Sequence, residues 1–469
     1  MMERKKTQVA EINRDAYDIA NPENASYKVD KGLTAEIVTD ISKGKNEPRW
    51  MLEHRLQSLA VYERLPLPNW GPNLHELDIN NIVTYVRPNM KMTDNWNEVP
   101  DEIKQTFDRL GIPEAEKLAL SGVGAQYDSE VVYHSIKEEM RQQGVIYTDM
   151  DTALHEYEDI VKKHFMKLLP ATLHKFAALH GAVWSGGSFV YVPKGIEVHM
   201  PLQSYFRLNA PGAGQFEHTM IILEEGARLH FIEGCSAPRY NALNLHAGCV
   251  ELYVGEDATL RYSTIENWSR NMMNLNSKCA AVEKNGAIEW VSGTFGSHIT
   301  MLYPSSILRG DGARSEFTGI TFAGAGQELD TGTKVIHAAP NTSSTVSSKS
   351  ISKNGGKAIY RSAVTVLPQA KNSKSSVSCE SLMLDSESRS DTIPVMDIRN
   401  DEVDIGHEAK IGRISEETVF YLMTRGIGEN EAKALIVRGF VEPITKELPL
   451  EYAVEMNRLI ALEFEGGIG

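Results

Sequence analysis

From about Trp184 to about Gly412 the chain is a series of short apolar segments with almost no helical periodicity. In Met220-Ile221-Ile222-Leu223 and Leu229-His230-Phe231-Ile232, apolar residues fill the segment almost without break, and small or polar residues end each run. Strands covered on both sides read this way. Five times a Gly or acidic residue, or a Gly pair, precedes a short strand that ends in an aromatic. These are Gly226-Ala227 to Phe231, Asp257-Ala258 to Tyr262, Gly286-Ala287 to Trp290, Gly312-Ala313 to Phe317, and Gly355-Gly356 to Tyr360. The first four recur at roughly 26 to 31 residues, a spacing typical of stacked repeats, and the longer interval before the fifth leaves room for an insertion. One such coil cannot bury its own apolar face, so successive coils must stack. The pattern predicts a mainly β fold, a β-solenoid, with a β-sandwich as the competing architecture.

Helical patterning flanks this core. Leu52, Leu56, Leu59 and Tyr62 lie three and four residues apart within a segment from Thr34 to Leu65, which Pro66, Pro68 and Gly71 stop. Residues 69–113 read as an irregular connector. Helices are expected over Asp128–Gln143 and over Met150–Leu169, the latter capped by Asp149 or Asp151. After Gly412 the helical period resumes, with Ser415 as N-cap of a first helix. A second is expected from Asn430 to Arg438 and a third from Leu450 to Phe464. This tail reads as a cap on an open solenoid end, as a docking face for a partner, or as both. Three regions result: 1–183, helical with a mobile or draped arm up to about Leu33; 184–412, the solenoid; and 413–469, helical.

Composition narrows the function. With 63 acidic against 48 basic residues the net charge is −15, which argues against a general grip on nucleic acid or an anionic membrane. No apolar run is long enough to span a bilayer and no secretion signal is evident, so a soluble cytoplasmic protein is expected. Gly355-Gly356-Lys357-Ala358 lacks the first glycine and the hydroxyl of a phosphate-binding loop, so ATP hydrolysis by this chain is not expected. The glycine corners Gly212-Ala213-Gly214 and Gly324-Ala325-Gly326 lack a dinucleotide-binding context, and Ile411 stands where His407-Glu408 would need a second histidine for a zinc protease. His134, His155, His164, His174 and His180 include no pair at metal-ligand spacing and read as packing or surface residues.

The four cysteines form no C-x-x-C pair. Cys249 and Cys279, flanked by small and apolar residues, read as packed. Cys235, in Glu233-Gly234-Cys235-Ser236-Ala237-Pro238, is bracketed by Gly and Pro and reads as a thiol at an accessible corner. Cys379 lies in the polar run Ser375-Ser376-Val377-Ser378-Cys379-Glu380-Ser381. Downstream, His407 and Glu408 put imidazole and carboxylate side by side, although neighbours on a regular strand face opposite ways. Thiolate, imidazole and carboxylate suit iron or zinc, and structural networks use the same residue types. A carbohydrate-active solenoid enzyme, with acid and base drawn from Asp397, Asp401, Glu402 or Asp404, is the alternative from another class. A purely structural solenoid is the third.

Longer motifs go further. Tyr205-Phe206-Arg207-Leu208-Asn209, Gly234-Cys235-Ser236-Ala237-Pro238, Ser263-Thr264-Ile265-Glu266-Asn267-Trp268 and Ser388-Arg389-Ser390-Asp391 resemble the SufB/SufD family of the SUF iron–sulfur cluster assembly machinery. So do Gly406-His407-Glu408-Ala409 and the run from Phe420 to Ile427. The resemblance covers nearly the whole chain, and both cysteines with Asn267-Trp268 are closer to the SufB branch. It implies a right-handed parallel β-helix between helical regions, acting as an assembly scaffold without enzymatic activity of its own. It also implies a SufC-type ATPase bound to the C-terminal helices, and either a SufD-like paralogue or a second copy of the chain. Cys235 would receive sulfur from a persulfide donor, and Arg207, Asn209, Glu266, Trp268 and Lys284 would line the sulfur path. Cys379, Glu408 and His407 would hold a transient iron–sulfur cluster at a subunit boundary. The resemblance alone extends to a reduced flavin as a cofactor. Glu266 stands where bacterial members often carry Gln. Simple alternation also puts Leu202, Phe206 and Leu208 on one face, leaving Arg207 and Asn209 on the other.

Overall fold

The computed structural model describes residues 20–109 and 120–445. It is mainly β, with a β-solenoid of about 8 turns between helical regions. Each coil gives one strand to each of two long parallel sheets. The first sheet runs through Leu202–Arg207, Arg228–Ser236, Thr259–Trp268, Ala287–Gly296, Arg314–Ala323, Ser343–Ser352, Lys374–Met383 and Asp404–Arg413. The second runs through Ser188–Val192, His218–Leu223, Cys249–Val254, Ser277–Val282, Ser305–Leu308, Glu328–His337, Lys357–Val366 and Arg389–Ile398. Early coils have a short third side, Gly214–Gln215, Asn244–His246, Met272–Asn274 and Ile299–Leu302. The strand Glu328–His337 pairs with both Ile299–Leu302 and Ser305–Leu308, which merges two sides into one.

The sequence repeat maps onto stacked columns. Phe231, Tyr262, Trp290 and Phe317 are register partners on successive strands, and the column continues through Val346, Val377 and His407. Phe231 and Tyr262 stack at 5.6 Å, and Tyr262 and Trp290 meet edge to face at 5.5 Å. The fifth aromatic, Tyr360, departs from the sequence pattern. It lies on the second sheet opposite Thr331 and reaches Phe317 across the lumen at 6.5 Å. The corner before six of the eight first-sheet strands takes a left-handed residue, and Gly226, Asp257, Asn285, Gly312, Asn341 and Asn372 supply it with φ between 54° and 72°. Asn tolerates this conformation and adds a ladder along the solenoid. Asn285 donates to Asp257 at 3.0 Å, Asn341 to Asp311 at 2.8 Å and Asn372 to Asn341 at 3.3 Å.

The N-terminal region contributes to both sheets, so the coil repeat starts near 184 but the sheets begin earlier. Gly122–Tyr127 pairs parallel with Leu202–Arg207, and Ile146–Asp149 pairs antiparallel with Ser188–Val192. The segment 34–65 forms two helices, Ala35–Gly44 and Arg49–Arg64, broken by Asn46 at φ 53° and by Pro48. The helix expected over Asp128–Gln143 is instead a strand, Glu130–Ile136, hairpinned to Gly122–Tyr127, followed by the short helix Glu138–Gln142. Val131, Val132, Tyr133 and Ile136 favour a strand once a sheet edge is there to receive them. Asp149 caps the helix Met150–Glu156 through Thr152. The first 19 residues of the arm lie outside the described residues, while Ala25–Lys28 is paired with Val86–Pro88.

The C-terminal helices Glu416–Thr424, capped by Ser415, and Glu429–Thr445 do not close the solenoid end. Ala434, Val437 and Val441 pack on Ile265, Val291, Ile320 and Ile351, the outer flank of the first sheet. The end strands Arg389–Ile398 and Asp404–Arg413 therefore keep one edge unpaired among the described residues. The helix expected over Leu450–Phe464 lies outside the described residues. Among those residues no helix is long and apolar enough to cross a membrane.

Candidate functional site

Cys235 is not at an open corner. It belongs to the strand Arg228–Ser236, is 1% exposed, and shares the inner face with Leu229, Phe231 and Glu233. The Gly-Cys-Ser-Ala-Pro run looks like a turn, but the neighbouring strands Leu202–Arg207 and Thr259–Trp268 hold it extended. Its register partners are Phe206 and Glu266. Burial pushes the thiol pKa well above its ordinary value, and Glu233, Glu266 and Glu217 push it further, with Lys278 opposing them.

Around this thiol is a buried chain of charges that sequence reading did not find. Lys278 reaches across the lumen from the second sheet, and its Nζ donates to Glu233 Oε1 at 2.9 Å and to Thr264 Oγ1 at 3.1 Å. It lies 3.5 Å from Glu266 Oε1. Burial opposes the ammonium, but Glu233 and Glu266 outweigh it and hold Lys278 charged. The Tyr262 hydroxyl donates to Glu233. Asn274 Nδ2 donates to Glu266 Oε2 at 2.6 Å, which turns Asn274 Oδ1 toward His246 Nδ1 at 2.7 Å. His246 Nε2 faces the Glu217 carboxylate. An acceptor faces each ring nitrogen of His246, an arrangement that favours the protonated ring, and its pKa is raised because Glu217 outweighs the cost of burial.

The expected path residues divide. Glu266 and Trp268 are inside this cluster, and the Trp268 ring lies 4.6 Å from that of His246. Arg207 and Asn209 are on the opposite face of their strand and segment, buried beneath N-terminal residues. Arg207 Nη1 donates to Ser236 Oγ at 2.8 Å. Asn209 exchanges two hydrogen bonds with the backbone of Asn21 and donates its own N–H to Asp128 at 2.6 Å. Lys284 is not near Cys235: it sits on an exposed corner, paired with Glu256 at 2.6 Å. The lysine that reaches the lumen is Lys278. Its signal was a cation at the same strand parity as Ala280 and Val282, as Glu233 shares parity with Phe231.

Cys379 is buried at 2% exposure near the open end, on the same inner face as Val377, and burial raises its thiol to about 12. His407 is on the next strand with its Nε2 3.7 Å from the sulfur. Glu408 points the other way, pairing in register with Ser378, and its carboxylate is 2.9 Å from Lys410 on the exposed face. The structure brings Cys379 and His407 together and leaves Glu408 outside. Cys249 and Cys279 pack with Leu168, Leu169 and Ala281 beneath a loop, as their sequence context indicated.

Two family profiles account for most of the chain. One, described as "SUF system FeS cluster assembly, SufBD core domain", matches residues 206–440, and "SufBD protein N-terminal region" matches 45–204. An "Iron-sulfur cluster assembly SufBD family protein" from Staphylococcus aureus strain MRSA252 is 53% identical over 453 residues, 97% of each chain. One of the same description from Staphylococcus epidermidis is 52% identical over 462 residues, 98% of this chain and 99% of its own. The chain belongs to the SufBD family.

Membership in the SufBD family leaves the carbohydrate-enzyme alternative without support. The carboxylates proposed for it are on exposed edges and corners, with Asp397 tied to Arg399 at 2.6 Å and Glu402 to Lys371 at 3.1 Å. Among the described residues of this SufBD chain, two groups of ionisable side chains line the lumen. A closed charged cluster surrounds Cys235, and an imidazole–thiol pair sits at the unpaired edge.

Proposed function

We propose that this chain is a SufB-type scaffold that accepts persulfide sulfur at Cys235 and builds an iron–sulfur cluster at its open end. The observation that carries the reading is that Cys235 and Cys379 face the interior of one solenoid, the first beside buried charges and the second on the strand next to the edge, within reach of His407 on the edge strand itself. Cys379 and His407 supply two donors from this chain. Glu408, on the outer face of the same edge strand, supplies one toward the chain that pairs with that edge. Fewer than four donors from one chain call for a second, a SufD-like paralogue or another copy, and mixed thiolate, imidazole and carboxylate ligation suits a site that must release its cargo. The exposed apolar side chains Val395, Met396, Ile398 and Ile411 on the two end strands fit such pairing. Arg207 and Asn209 belong to this reading as residues that pack the outer wall behind Cys235, with Glu266 and Trp268 inside it. The chain carries no nucleotide-hydrolysis motif, and the ATPase partner docks on the C-terminal helices.

Anaerobic reconstitution with iron and a persulfide donor tests this. Cys235→Ser abolishes persulfide labelling, while Cys379→Ala and His407→Ala lower the yield of the visible chromophore without greatly altering thermal unfolding. Cys249→Ala does the reverse. Normal labelling of Cys235→Ser, or normal cluster yield and spectrum in both end-site variants, refutes the assignment.

A further inference from the structure

Cys235 sits where a thiolate is hard to make. A thiol must ionise to attack sulfur, and this one is sealed inside the lumen among Glu233, Glu266 and Glu217. Releasing its proton to bulk water adds a full negative charge beside three carboxylates, with the Lys278 ammonium opposing them. Passing the proton to a base inside the lumen leaves the charge there unchanged. An internal base lowers that cost.

Glu266 fits that role by position and by an oxygen that accepts no hydrogen bond, although it lies 3.5 Å from the Lys278 ammonium. It is the register partner of Cys235 on the adjacent strand, about 4.8 Å away backbone to backbone, with both side chains on the inner face. The other strand beside Cys235 offers Phe206 at that position. Glu266 Oε2 accepts from Asn274, whereas the buried Oε1 accepts no hydrogen bond. Glu233 is engaged by both Lys278 and Tyr262. Glu217 also has a bare oxygen, but it is bonded to His246 and belongs to the connection between Gly214–Gln215 and His218–Leu223, not to a strand paired with Cys235.

We infer that Glu266 is the general base that takes the Cys235 proton, with the Lys278 ammonium placed to hold the thiolate that forms. The assignment rests on the reading of Cys235 as a sulfur acceptor. In the step, Glu266 Oε1 takes the proton from Cys235 Sγ, and the thiolate attacks the outer sulfur of a donor persulfide. The donor S–S bond breaks as the Cys235 S–S bond forms, and the donor cysteine leaves as a thiolate. No net electrons enter or leave.

The test is alkylation of the full chain with iodoacetamide from about pH 6 to about pH 10, read by mass spectrometry of the Cys235 peptide relative to the Cys279 peptide, so that opening of the solenoid cancels. In the native chain the Cys235 rate shows a plateau through neutral pH, because the proton only moves within the Cys235–Glu266 pair. Glu266→Gln keeps the shape and the Asn274 contact, loses the plateau, and slows Cys235 about 10-fold or more at neutral pH, recovering as pH rises. An equal or faster neutral-pH rate overturns the proposal, since that is the result if the carboxylate only repels the thiolate. Should Glu266→Gln fail to fold, Glu266→Asp retracts the carboxylate by one methylene: a retained plateau at reduced rate supports the base, and an undiminished rate overturns it. The assay uses no sulfur donor. A chain that alkylates as expected but accepts no persulfide refutes the acceptor role and leaves the base in place.

Discussion

Replacing Lys278 with Met removes the charge from the middle of the lumen while nearly preserving the side-chain volume, so no large cavity opens. Lys278 is 2% exposed, with Nζ 2.9 Å from Glu233 Oε1 and 3.5 Å from Glu266 Oε1. Without it the two carboxylates share a closed space, and among the described residues Tyr262 and Asn274 still donate to them. At an effective dielectric constant of about 20, one unit charge pair at this separation is worth roughly 5 kcal/mol, and removing one partner of a buried pair costs about 3–5 kcal/mol. The expected loss of unfolding free energy is therefore about 3–5 kcal/mol, measured by urea unfolding followed by circular dichroism. The folded-state pKa of Lys278 is raised, so its contribution is complete below the unfolded value of 10.5 and is lost only as pH rises through the folded value. The difference between native and variant chains is thus constant through neutral pH. Adding Glu266→Gln to Lys278→Met recovers about 1–3 kcal/mol, because the second change removes a charge that the first left unpaired. A single variant that loses less than about 1 kcal/mol refutes the view that this ammonium holds the lumen charges together.

Three further expectations follow from other parts of the fold. His54, His134, His174, His230 and His337 are each pulled by burial to about 4, so the unfolded chain binds more protons between pH 6.5 and 4. Stability falls as pH drops through that window, ahead of the carboxylate range, and a melting temperature flat from about pH 7 to about pH 5 refutes this. Gly296 has φ 77°, and a Cβ there would overlap the Trp268 backbone. Gly296→Ala destabilises the chain by about 2 kcal/mol or more in urea unfolding, and an unchanged midpoint contradicts the close approach of the two coils. Phe420 and Tyr421 are 68% and 56% exposed on the helix Glu416–Thr424. Phe420→Glu with Tyr421→Glu abolishes co-purification of the proposed ATPase partner and leaves the β signal in circular dichroism intact, whereas retained binding moves the docking face elsewhere.

The amino-acid sequence by itself determined the solenoid, because stacked coils repeat a local requirement: a left-handed corner residue, then an inward apolar run that a neighbouring coil covers. Gly226, Asp257 and Gly312 reveal those corners directly, and the same parity argument placed Arg207 opposite Phe206 and separated His407 from Glu408. It also identified the family, through motifs long enough to be specific. What only the tertiary structure decided concerns residues whose meaning comes from a distant segment. Glu130–Ile136 became a strand because a sheet edge was available, and Cys235 became buried because two neighbouring strands hold an otherwise turn-like run extended. Lys278, not Lys284, faces the thiol, since a corner residue and a strand residue six positions apart point into different environments. Glu233, Glu217 and His246 are ordinary polar residues along the chain. They become one charged cluster only when coils some thirty residues apart stack, because a buried charge is tolerated where folding brings its counter-charge within hydrogen-bond reach.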